Sequence, residues 1–159
     1  MDIRILRTVL VCASIVSAIL LWFTRSEWLN SLSAFALSDN VVYYRVMHLT
    51  AVLFFALGER KNLILAFGMA SILVFDMYHF PTIHNIVTAL TLGYACFDLI
   101  RTNKGFERTI MIFLSFSAVL FFCIGYFVES FHHLLAEIIA MVCVMNGKLR
   151  ETWVKELKN

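Results

Sequence analysis

Six apolar stretches follow one another through this chain with only short polar breaks between them, at roughly residues 5–23, 41–58, 63–80, 82–100, 109–127 and 131–146. A helix needs about 20 apolar residues to cross the hydrocarbon core of a bilayer, and each stretch approaches that length. The composition agrees. Of 159 residues, 61% are hydrophobic and 15% charged, against roughly 45–50% apolar in soluble domains, so a charged shell for a soluble fold is missing. Proline occurs once, at Pro81, and glycine six times, which favours long uninterrupted helices. The expected fold is all-α: a polytopic six-transmembrane-helix bundle over residues 1–147, followed by a short tail over 148–159 that forms either a docking helix or an interfacial anchor around Trp153. Gly58, Gly125 and Gly147 fall where helices are expected to end, and Pro81 marks a tight turn between the third and fourth spans.

Lysine and arginine orient the spans, because cytoplasmic loops carry an excess of them. Arg4 and Arg7 precede the first span, Arg60 and Lys61 follow the second, and Arg101, Lys104 and Arg108 follow the fourth. Lys148, Arg150, Lys155 and Lys158 follow the sixth. The opposite breaks are poor, with only Arg25 after the first span. Every second break is basic, so both termini are expected in the cytoplasm and the protein in a cell inner or plasma membrane. Ala34-Phe35-Ala36 resembles a signal-cleavage triplet, but it lies beyond Arg25 and Glu27, well past the apolar run. The first span therefore reads as a retained anchor. Residues 26–38 place Trp28, Leu32, Phe35 and Ala36 on one helical face, the pattern of a short helix in the outer interface.

Ionisable groups inside a membrane are expensive, at least about 2.5 kcal/mol for an aspartate, lysine or arginine at a helix centre. At about 1.5 Å of rise per residue, His48 falls near the centre of the second span and Glu137 near the centre of the sixth. Asp76, His133 and His84 lie about 9, 7 and 10 Å outward of their span centres. All five histidines fall in the outer half, which suggests a polar cavity open to the outside. His133 and Glu137, like Tyr44 and His48, are four residues apart and share a helix face. If the faces converge, His48, Asp76, His133 and Glu137 form a ligand set suited to zinc or another transition metal, or a proton relay. The bland alternatives stand beside this. His79, His84 and His132 suit interfacial positions, Arg45 suits a bridge to Asp76 or Glu129, and Asp98 suits a pair with Arg101 or Lys104. His48 and Glu137 read equally as a functional pair or as one interhelical hydrogen bond.

The order of His48, Asp76 and the His133–Glu137 pair resembles the alkaline ceramidase and adiponectin-receptor superfamily. That resemblance implies a zinc-dependent lipid amidase of seven helices. Glu137 stands in place of the family's second histidine, Tyr44 in place of a serine, and the chain is one helix short, so the likeness rests on four residues and membership is not claimed. The stretch Thr88-Ala-Leu-Thr91-Leu-Gly93-Tyr94 faintly resembles a potassium-channel filter, but Ala95 occupies the position of the second glycine. Gly93 reads instead as a site of close helix packing. Cys12, Cys96, Cys123 and Cys143 lie in apolar runs with neither disulfide nor zinc spacing and read as small hydrophobes. No phosphate-binding loop, dinucleotide fingerprint, HExxH or nucleophile elbow occurs. Nucleic-acid binding has no support, because the basic residues follow membrane topology.

The expected function is binding or conducting a small charged species, whether metal ion, proton or polar ligand, at His48, Asp76, His133 and Glu137 with Tyr44 and His84 alongside. Three further classes stay open: a metal-dependent membrane hydrolase acting on lipid, a haem protein with two of the histidines as axial ligands, and an accessory subunit or pore-forming multimer. The expected partners are the lipid bilayer and other membrane subunits or further copies of the chain.

Overall fold

A computed structural model describes residues 2–24, 39–127 and 133–156. These form six helices: α1 (Ile3–Thr24), α2 (Val41–Ala56), α3 (Leu63–Val74), α4 (Pro81–Thr102), α5 (Gly105–Phe127) and α6 (His133–Glu156). A single 3-10 turn, Arg60–Asn62, joins α2 to α3. No strand occurs among the described residues. The expected interfacial helix at 26–38 lies outside them.

Local chemistry explains several boundaries. Pro81 is the first residue of α4 rather than a turn residue; its missing N–H is not needed there and its fixed φ suits the helix. Gly105 opens α5 with φ of +58°, a left-handed conformation that favours glycine. The third apolar stretch does not run unbroken to residue 80 as expected. It leaves the helix after Val74, because the Asp76 carboxylate accepts the backbone N–H groups of Tyr78 and His79, each at 2.9 Å. That local bonding competes with continuation of the helix.

The helices pack in chain order, and α6 returns to both α1 and α4, which closes the bundle. Its core runs from Val11, Ala18 and Leu21 through Met47, Ala51 and Phe54 to Leu65, Leu99 and Met145. No residue of α5 belongs to this buried core among those described. Ser14 of α1 donates a buried hydrogen bond to the Met47 carbonyl of α2 at 3.1 Å. Gly68 of α3 lies so near Thr91 of α4 that a Cβ would collide with the threonine side chain. Gly147 does not end α6. It sits inside that helix, where a Cβ would meet Leu99 of α4. Gly125 likewise lies within α5, whereas Gly58 does follow the end of α2. Gly93 is not a packing contact, since a Cβ there would meet nothing within 4 Å.

The distribution of polarity is inverted. Phe67, Phe97, Phe113 and Phe116 are among the many large apolar side chains on the outside, while Arg7, His48, His84, Asp98 and Lys148 are buried. Two helices, over Ile3–Leu21 and Pro81–Thr102, are long and apolar enough to cross a membrane. At 16 and 12 residues, α2 and α3 extend only about 24 and 18 Å. The basic segments meet at one end of the bundle: Arg4 lies over the Trp153 ring at 5.5 Å, Lys61 and Lys148 share the Glu151 carboxylate, and Thr102, next to Arg101, donates to the same carboxylate. From the sixth apolar stretch α6 continues without a break to Glu156.

Candidate functional site

His48 is buried on the inner face of α2, one turn after Tyr44, as the four-residue spacing anticipates. Its Nδ1 lies 3.0 Å from the Tyr44 backbone carbonyl. A carbonyl only accepts, so Nδ1 carries the hydrogen and the neutral ring presents Nε2 as an acceptor. The Tyr44 ring leans on the imidazole with centroids 4.3 Å apart. The Tyr44 hydroxyl is buried and has no hydrogen-bond partner among the described residues.

The tertiary fold joins His48 to Glu137. The two line one interior cavity of about 70 Å³, together with Thr88 and Thr91 of α4 and apolar groups such as Leu65, Met69 and Met141. A cavity needs at least about 10–15 Å³ to hold one water, so this one has room for a small ion with part of its hydration. A second cavity of about 280 Å³ opens between α4, α5 and α6 and shares Thr88, Leu92, Glu137 and Val144 in its wall. The Thr88 hydroxyl oxygen is buried and has no hydrogen-bond partner among the described residues. The residues around the smaller cavity thus include a histidine, a glutamate and two threonines within an otherwise apolar wall. Imidazole, carboxylate and hydroxyl groups can all accept, and together they are able to complement a cation.

The other expected site residues are dispersed. His84 is buried near the start of α4, where its Nδ1 donates to the Phe75 carbonyl at 2.7 Å. It is within electrostatic reach of His48. Asp76 does not line the His48–Glu137 cavity. It sits in the turn between α3 and α4, and its carboxylate oxygens lie 3.0 and 2.9 Å from Nδ1 of His79. Arg45 is exposed, and Asp76 pairs with His79 rather than with it. His133 begins α6, but its side chain, together with His132 and Glu129, lies outside the described residues. Among the described residues, no group of three or more His, Cys, Asp and Glu is close enough to hold a metal ion. Of the metal quartet expected at His48, Asp76, His133 and Glu137, the structure brings His48 and Glu137 to one cavity and leaves Asp76 outside it.

A second polar centre lies at the basic end, where the sequence suggested a pair of Asp98 with Arg101 or Lys104. The Lys148 side chain of α6 is fully buried. It bonds to Asp98 of α4, and its Nζ lies 3.1 Å from the Glu151 carboxylate. Asp98 thus pairs with Lys148 rather than with Arg101 or Lys104. Lys61 joins from the 3-10 turn before α3, 3.4 Å from Glu151 and 3.9 Å from Asp98. Thr102 donates to Glu151 at 2.7 Å. Burial alone would lower the Lys61 pKa, but the carboxylates of Glu151, Asp98 and Glu59 outweigh it and hold the ammonium above its ordinary value. Arg7 is also buried, its guanidinium 4.5 Å from the Phe54 ring centre. The available signal was the opposite charge of Lys148 and Glu151 three residues apart on one helix face.

Comparison with protein-family models, curated proteins and solved structures yields no match.

Proposed function

We propose that this chain is a six-span membrane protein with both termini in the cytoplasm, and that it admits a small cation to an interior site between α2, α4 and α6. The observation that carries the second part is the shared cavity of His48 and Glu137, residues on separate helices whose remaining polar wall is Thr88 and Thr91. Imidazole nitrogen, carboxylate and hydroxyl oxygen are all groups that coordinate cations, and three helices bring residues bearing them to one cavity. The membrane part is supported by apolar outer faces over buried polar residues and by the two helices of spanning length. The gathering of the basic segments at one end agrees with the alternation of basic breaks.

The test is a flux and retention assay in proteoliposomes with protons, Na⁺, K⁺, Mn²⁺ and Zn²⁺. His48→Ala and Glu137→Ala are expected to abolish uptake or retention of the transported ion while membrane insertion stays intact. Wild-type behaviour in both variants would end this reading.

A further inference from the structure

The larger cavity has a chemistry of its own. Cys96 of α4, Met111 of α5 and Cys143 of α6 all line it, so three different helices each contribute one sulfur-bearing residue to a single cavity. Cys96 and Cys143 are free thiols, each half-buried, and the two interact electrostatically across the α4–α6 contact. Met111 packs against the core from the otherwise peripheral α5. Most of the remaining wall is aliphatic, as at Leu92, Leu114 and Val144. Cys12, by contrast, faces outward from α1.

We propose that Cys96, Cys143 and Met111 form a binding site for a soft monovalent cation, Cu(I) or its redox-inert analogue Ag(I). Thiolate and thioether sulfur select Cu(I), whereas hard cations prefer oxygen. Low coordination by sulfur suits a chamber that offers few other donors. Binding at one thiol replaces its proton with the metal, and that proton leaves to bulk solvent. Two thiolates with one monovalent ion carry a net negative charge, so binding at one thiolate and one remaining thiol is the least charged form. The site goes beyond the cation reading at His48 and Glu137 and does not depend on it, because no histidine or carboxylate is needed as a ligand.

The experiment uses the full chain in lipid nanodiscs under reducing conditions, with Cys12 and Cys123 replaced by serine to remove background thiols. Ag(I) and, separately, Cu(I) are added, unbound metal is removed, and retained metal is measured by mass spectrometry. Retention of a single ion per chain is expected, lost in Cys96→Ser and in Cys143→Ser and weakened in Met111→Leu. His48→Ala should leave retention unchanged, which separates this site from the one proposed above. A second measurement needs no ligand variant: in the unaltered protein, Ag(I) should block alkylation of Cys96 and Cys143 but leave Cys12 reactive. Absence of retained metal, retention that survives both single serine replacements, or equal protection of all three cysteines would overturn the assignment.

Discussion

The ammonium of Lys148 on α6 is withdrawn from solvent and bonded to the carboxylate of Asp98 on α4, so two helices that are not neighbours in sequence are joined by a buried ion pair. Breaking such a pair from one side leaves an uncompensated buried charge, which costs about 3–5 kcal/mol. Lys61 stays within 3.9 Å of Asp98, so Lys148→Met should fall at the lower end of that range. The double variant Lys148→Met with Asp98→Leu should recover most of the loss. Unfolding titrations in mixed micelles, run as a double-mutant cycle, measure both.

Lys61 is the weaker member of the cluster. Its side chain keeps 31% of its exposure and its closest carboxylate contact is 3.4 Å, so Lys61→Met should cost less than about 1 kcal/mol. The sign of its pH dependence follows from a folded-state pKa held above the ordinary value. Its contribution is fully present below the unfolded lysine pKa of about 10.4 and is lost as pH rises through the folded value. The stability difference between wild type and Lys61→Met should be flat from pH 7 to about 10 and vanish in stronger alkali.

Two glycines on facing helices should behave oppositely. Gly68→Ala drives a methyl into Thr91 and should destabilise by about 1–3 kcal/mol, the usual range for overpacking. Thr91→Ala in the same chain removes the atoms it strikes and should restore most of that loss. Gly93→Ala meets open space and should be neutral or stabilising by up to about 1 kcal/mol, the helix-propensity difference. Thermal unfolding of the three variants decides it.

Topology is testable with reporter fusions. Reporters after Glu59, after Asn103 and at the C-terminus should all report the cytoplasm, and one after His79 should report the opposite side. A cytoplasmic signal after His79 would mean that α3 and α4 do not cross as a pair, and would remove the six-span arrangement.

Pattern along the chain determined much of this protein. Apolar runs and scarce proline were enough to predict helices at each of the six places, because helix formation is local and a hydrophobic stretch needs no distant partner to be recognised. The face shared by Tyr44 and His48 was equally legible, since a four-residue spacing is a property of one helix. The break after Val74 was not. It depends on a carboxylate at Asp76 bonding to the backbone beyond it, a local contest that apolar periodicity does not register. Helix rotation and pairing were decided only by the tertiary structure. They joined His48 to Glu137 while leaving Asp76 to His79, buried Lys148 against Asp98, and turned Gly147 from an expected helix end into a close-approach point at Leu99. Each of these rests on which faces of separate helices meet, and residue spacing within one helix carries no information about the orientation of another.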